Sequence, residues 1–156
     1  MIWHHQGKPF TEEDIPERAI GFLYIITHLP TGSKYIGRKL FTKAATKIVK
    51  GKKKKIRKPS DWESYWSSSP SIIEMITEKN GDTSEFSREI LCFANSRSTL
   101  TYMEECYQYA LGVLEQDGWM NSNIRAKQFR KNIYGKEDIS KFRELLSGAL
   151  KQQTKD

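Results

Sequence analysis

The run Gly21-Phe-Leu-Tyr-Ile-Ile-Thr27 has a β-branched and aromatic interior, and Leu29-Pro-Thr-Gly32 supplies turn residues before a second run, Lys34-Tyr-Ile-Gly-Arg-Lys39. Two such runs about a turn predict a β-hairpin closing near Thr31. Strand side chains alternate, so Phe22, Tyr24 and Ile26 share one face while Leu23 and Ile25 take the other. Tyr24 and Tyr35 can therefore approach each other on one face, and Gly37 leaves room for backbone or ligand. Such a pair alone is ordinary cross-strand packing. With a cation beside it, it is a site.

Charge is distributed unevenly. Of 26 lysines and arginines, twelve fall in residues 34–58, which contain no acid, so the formal +7 comes from one segment and the rest carries more acids than bases. Its densest part, Lys50-Gly-Lys-Lys-Lys-Lys-Ile-Arg-Lys58, is too self-repulsive and too poor in apolar residues to pack as a core element. The expectation is a solvated loop or arm spanning 39–58, whose Lys50, Lys52, Lys53, Lys54, Lys55, Arg57 and Lys58 neutralise phosphates without reading sequence. A localisation signal or a merely solubilising loop is the alternative. A second, smaller basic stretch holds Arg125, Lys127, Arg130 and Lys131.

Length and composition fit one compact domain, with 1–20 as a leader, 21–124 as the body and 125–156 as a basic stretch and a final helix. No apolar run suits a signal peptide or a membrane span, so a soluble, cytoplasmic protein is expected. His4 and His5 are read as an exposed leader, His28 as a hydrogen-bonded turn histidine, and Cys92 and Cys106 as small buried hydrophobes in a strand and a helix. A helix starting at Ser69-Pro70 or at Ser71 should turn Ile72, Ile73 and Ile76 inward and end at Asn80-Gly81. A third strand is expected over 86–93. A second helix begins near Ser98 with an inward stripe of Leu100, Met103, Tyr107, Leu111 and Leu114, and Asp117-Gly118 ends it. A last amphipathic helix covers 137–150.

Two tyrosines at this spacing, with Tyr35-Ile-Gly37 intact and Phe22-Leu-Tyr24 keeping its tyrosine, followed by helix, strand and helix, resemble the GIY-YIG nuclease family. The resemblance spans roughly 21–123. It implies an α+β fold, a small three-stranded antiparallel sheet flanked by helices, here with a basic insertion after the first hairpin and an added C-terminal helix. It further implies one divalent ion, Mg2+ or Mn2+, held by a glutamate on the helix after the third strand. That is Glu104, with Glu105 as the competing choice. A lone carboxylate suffices for magnesium, which keeps waters and takes substrate phosphate as ligand.

The resemblance assigns Tyr24 as general base, with Tyr35 positioning the attacking water or supporting Tyr24, and Asn121 as the residue that orients phosphate or a catalytic group. An ordinary tyrosine is only about one part in a thousand ionised at neutrality, a deficit of about 4 kcal/mol, so nearby positive charge has to reduce it. Where the family carries an arginine some ten residues past its second tyrosine, this chain has Ala45 and Thr46. The cation is then one of Arg38, Lys39, Arg57 and Lys58, with Lys39 and Arg38 preferred for their fixed place beside Tyr35. The family's histidine near the first helix has no counterpart in Trp66-Ser-Ser-Ser69; a serine or nothing stands in. The expected activity is hydrolysis of double-stranded DNA by a monomer or a transient dimer, as in homing-type enzymes of phages. The alternative is a nuclease fold that binds nucleic acid or a protein partner without cutting.

Overall fold

The structure, a computed structural model, describes residues 2–125 together with Gln128, Phe129, Lys131, Glu144 and Ser147. Strand β1 (Trp3–His5) and strand β2 (Lys8–Phe10) form a short hairpin, and a 3₁₀ turn follows over Glu12–Asp14. The tyrosine hairpin comes next as β3 (Gly21–His28) and β4 (Lys34–Leu40), then a second hairpin, β5 (Thr42–Val49) and β6 (Lys52–Pro59). Helix α1 (Pro70–Glu78), strand β7 (Phe86–Ala94), helix α2 (Arg97–Ala110) and the two-residue strands β8 (Asn123–Ile124) and β9 (Gln128–Phe129) complete the order.

The main sheet is mixed and has five strands, ordered β2-β1-β7-β3-β4, rather than the expected three. The central three match expectation: β3 pairs antiparallel with both β4 and β7. The extra two come from the supposed leader. Trp3 is buried at 1 % exposure, β1 runs parallel to β7, and His5 Nδ1 lies 2.8 Å from the Ile90 carbonyl oxygen. An indole and Phe10 at this edge bury apolar surface that a free leader would leave in water.

Of the two helices with described bounds, one lies on each face of the sheet. The face of Phe22, Tyr24 and Ile26 packs with Trp3, Phe10, Phe41, Trp62, Phe86 and Ile72 of α1, whereas Leu23 and Ile36 on the other face pack with Leu100 of α2 and with Val113, Leu114 and Ile124. The alternation read from the sequence is thus the division between two cores.

Both helices start at serines. Ser69 precedes Pro70 at the first position of α1, and Ser96 Oγ accepts from Thr99 N–H at 3.1 Å to cap α2. Asn80 and Gly81, at φ 53° and 84°, end α1 as expected. Ile72 is fully buried but Ile73 is 48 % exposed, since one residue's advance turns a side chain about 100° around the axis. Helix α2 stops at Ala110, earlier than expected, and Gly112 at φ 60° turns the chain away. Its inward stripe is also rotated: Leu100 and Gln108 are buried and Tyr107 is exposed. Cys92 is half-buried on β7 and Cys106 is exposed, so the reading of Cys106 as a buried hydrophobe does not hold. His28 ends β3, with Nδ1 2.8 Å from Thr31 Oγ1 in the turn.

The basic segment is a regular two-stranded ribbon. Eight residue pairs run from Thr42–Pro59 to Val49–Lys52, and Lys50 and Gly51, both at positive φ, make the two-residue turn that suits the twist of a hairpin. Its bases are exposed as expected. Of the final helix, Glu144 and Ser147 are described and both are helical; the remainder, with Lys127 and Arg130, lies outside the described residues.

Candidate active site

The register of β3 and β4 sets Tyr24 opposite Gly37 and Ile26 opposite Tyr35, which leaves the two tyrosine rings diagonal on one face with centroids 6.3 Å apart. Gly37 is the condition for this. A Cβ there would sit 2.6 Å from Tyr24 Oη and 2.9 Å from Tyr35 Cε1, so any other residue displaces a phenol. On the other side of β3 the pairing with β7 slips between Leu23 and Tyr24, a local irregularity of the kind that re-aims a side chain.

The two phenols reach a cavity of about 610 Å³ whose wall also includes Arg38, Lys39, Glu104 and Asn121. Alternation sends Lys39 to the tyrosine face of β4 and Arg38 to the face of α2. Lys39 Nζ is 2.8 Å from Asp61 Oδ1 and 3.6 Å from the centre of the Tyr65 ring, a cation held by a carboxylate and an aromatic face. Arg38 Nε donates to Glu104 Oε2 at 2.8 Å. Glu104 faces the cavity because α2 turns Leu100, Glu104 and Gln108, spaced four apart, toward the sheet. Glu105 instead meets Arg125, Oε1 to Nε at 2.8 Å. Arg125 also borders the cavity, whereas the exposed Lys131 has its Nζ 5.8 Å from the centre of the Phe129 ring.

Asn121 works through the backbone. Its Oδ1 accepts from Ile36 N–H at 3.1 Å and its Nδ2 donates to Ile36 O at 2.9 Å, while Met120 N–H donates to Lys34 O at 2.7 Å. The buried amide therefore completes the edge of β4 as a neighbouring strand would and fixes the peptide next to Tyr35. Beyond that point no strand among the described residues pairs with the outer edge of β4.

Sequence reasoning left open whether a serine of 66–69 stands in for the histidine and named none of the three hydroxyls of Tyr65, Ser67 and Ser68 as a site residue. Ser67 lies close enough to both phenols, and Ser68 to Tyr35, to influence their ionisation, and the Tyr65 ring stands edge-on to Tyr24 with centroids 6.2 Å apart. The missing histidine was the available signal, because a hydroxyl-rich stretch occupies its place. Arg88 secures this segment. Its guanidinium lies between Trp3 and Trp66, 4.5 and 4.3 Å from their rings, and donates to Tyr65 O at 2.7 Å; desolvation lowers its pKa to about 10. The N-terminal strand thus reaches the site through one indole.

Burial pushes the Tyr24 phenol well above 10, and Tyr35 and Tyr65 add to the rise against a small opposing hydrogen bond from Ser67. Tyr35 is raised chiefly by burial, with Ser68 and Ser67 opposing. Glu104 is also raised by burial, with the charge and hydrogen bond of Arg38 opposing. The protein's own groups therefore keep both phenols protonated and penalise the charge of Glu104.

Among the described residues no group of three or more His, Cys, Asp or Glu could hold a metal ion. The donors at the cavity, Glu104 with Asp61 farther along the wall, still fit magnesium, which accepts one carboxylate when phosphate and water complete its shell. A carboxylate whose charge is penalised by burial gains from an arriving cation.

A sheet with a helix on each face and paired tyrosines, a cation and a carboxylate around one cavity is the layout of a nuclease domain. The family described as "Putative endonuclease segE, GIY-YIG domain" matches residues 3–124, and the chain belongs to that family. No curated protein and no solved structure matches it. Among the described residues no helix is long and apolar enough to cross a membrane.

Proposed function

We propose that this chain is a metal-dependent endonuclease of duplex DNA, homing-type or otherwise phage-like, in which Tyr24 is the general base. The observation that carries the reading is the convergence of Tyr24, Tyr35, Lys39, Arg38 and Glu104 on one cavity. Once Tyr24 has lost its phenol proton to solvent, a water in line with a backbone phosphorus gives a proton to the phenolate Oη and forms the new P–O bond as the bond to the leaving oxygen breaks, and that oxygen takes a proton from solvent. Tyr35, which shares Ser67 with Tyr24, orients that water. Lys39 and Arg38 supply charge against the phosphate oxygens as negative charge builds there. Glu104 would hold Mg2+ or Mn2+, which when bound supplies positive charge to the phosphate and favours ionisation of nearby water and phenol.

The Tyr24 environment makes this reading specific. A phenol held protonated by the free protein becomes a base only when positive charge arrives with the substrate, which keeps the free site inactive. A nuclease fold that binds without cutting draws on the same facts, the raised phenol and an Arg38–Glu104 pair that occupies the carboxylate. Supercoiled plasmid separates the two readings. Nicking with Mg2+ that stops in EDTA, and that Tyr24→Phe and Glu104→Ala each reduce by about 100-fold or more, supports the enzyme. Undiminished nicking by both variants would refute the site. No nicking by the unaltered protein leaves the binding reading.

A further inference from the structure

We infer that the β5–β6 ribbon enters the major groove of B-form duplex DNA and thereby seats the cavity at its root against one adjacent strand. This deepens the proposed function and rests on its choice of DNA as substrate.

Shape comes first. Among the described residues the ribbon pairs with no other strand, and its eight-residue strands extend about 27 Å. A two-stranded ribbon is one of the elements that fits the major groove, about 12 Å wide. Its charge pattern then distinguishes a groove from a flat surface. By the pairing register, Lys43, Lys47, Lys52, Lys54 and Lys58 share one face, and Lys53, Lys55 and Arg57 the other. A ribbon laid on a row of phosphates needs cations on one face, whereas a groove presents a phosphate wall to each. Ile48 and Val49 lie beside the tip on opposite faces, 69 % and 42 % exposed, and apolar side chains on both faces there suit the interior of a groove better than a phosphate row.

The same residues argue against other nucleic acids. Residues 42–59 contain no aromatic side chain, so the ribbon offers single strands no stacking platform. The deep, narrow major groove of A-form RNA does not admit side chains for reading. Two cross-strand pairs, Lys43 with Lys58 and Lys47 with Lys54, set like charges directly opposite, a cost that a polyanion on both sides relieves.

The root ties binding to cutting. Thr42, Lys43, Ala44 and Ser60 form part of the cavity wall. Arg57 Nε donates to Thr42 Oγ1 at 2.6 Å, and Ser60 Oγ donates to Leu40 O at 2.6 Å, which fixes the ribbon's exit from β4. A duplex gripped along the ribbon is therefore presented to Tyr24 and Lys39 at a set distance.

Dimethyl sulfate reads both grooves in one experiment, since it methylates guanine N7 in the major groove and adenine N3 in the minor. The full chain is bound in EDTA to a duplex of about 30 base pairs. The expected result is loss of guanine N7 reactivity over part of a turn with adenine N3 unchanged. Lys52→Gln/Lys53→Gln/Lys54→Gln/Lys55→Gln should restore N7 reactivity and lower the slope of log affinity against log salt by about 3 to 4. Lys43→Gln/Lys47→Gln, on the other strand, gives the same reading should the fourfold variant melt early. Duplex binding with guanine N7 fully reactive, or with adenine N3 protected instead, overturns the groove assignment and leaves the nuclease reading standing. Preference for single strands or RNA over duplex overturns both.

Discussion

The two hairpins of this protein are built from the same element and hold opposite relations to solvent. In β3–β4 every residue but Lys34 is buried or half-buried, and the site is a by-product of packing: Tyr24, at 1 % exposure, is both a core residue and the proposed base. In β5–β6 nine of eighteen residues are basic and nearly all are exposed, so the ribbon is held by backbone pairing, the Lys50-Gly51 turn and the Arg57–Thr42 bonds at its root rather than by a core. The first hairpin gains stability from the residues that do its work; the second gives stability up for them.

Two glycines test that contrast most severely. Gly37→Ala should be destabilising by about 1–3 kcal/mol through overpacking and should cut nicking by about 100-fold, because a phenol moved by an ångström is out of line. Gly51→Ala meets nothing within 4 Å and carries only the backbone cost of φ 73°, about 1 kcal/mol confined to the ribbon tip. Thermal melts should show several degrees of loss for the first and little for the second. Equal losses would mean that the ribbon is packed against the body after all.

The next effect is on rate. Since burial holds Tyr24 above the ordinary phenol range, the fraction ionised rises throughout the accessible range, and nicking should climb from pH 7 to 9 without levelling. A folded pKa above the unfolded one contributes stability that is complete below about 10 and lost only as pH rises through the folded value, so unfolding from this source does not interfere. A plateau near pH 7.5 in single-turnover nicking that persists in Tyr24→Phe would assign the proton to another group.

Glu104 shows the cost of function within the buried region. Its raised pKa means that the folded state favours the protonated acid, so the associated stability is present below the usual carboxylate range and lost as pH rises through the raised value. Glu104→Gln should therefore melt a degree or two above the unaltered protein at pH 7.5, with the gap closing near pH 4, while nicking is lost. A lower melting temperature at pH 7.5 would show the Arg38 ion pair outweighing desolvation.

The same contrast explains what could be read from the sequence. Residues 21–40 were legible because period-two alternation and a Pro-Thr-Gly turn agree, and a buried strand has few alternatives. The ribbon was legible as a charged arm but not as a hairpin, since four consecutive lysines outweigh a two-residue Lys-Gly turn in any reading based on burial. Strands of three residues, such as Trp3-His-His5, show no period at all, and Trp3 contributes only through partners far along the chain, among them the Tyr24 ring, the Trp62 carbonyl and Arg88. The choice between Glu104 and Glu105 depends on the rotation of α2. That rotation puts the polar Glu104 and Gln108 toward the cavity, where a search for apolar stripes picks Met103 and Tyr107 instead.

The smallest effect isolates the ribbon's trade. Lys54 faces Lys47 directly across the pair, so Lys54→Glu replaces a like-charged contact by an opposite one. At low salt the amide protons of β5 and β6 should exchange a few-fold more slowly in this variant, and added salt should erase the difference because both groups are exposed. DNA affinity should fall at the same time, by more than one lost phosphate contact explains, since the introduced carboxylate also repels the backbone. Slower exchange together with weaker binding is the signature of residues kept against the stability of their own hairpin. In β3–β4 no substitution should produce that pair of changes, because there the groups that bind and the groups that pack are the same atoms. If Lys54→Glu instead loosens the ribbon, the lysines are held apart by twist and their repulsion is not what the polyanion relieves.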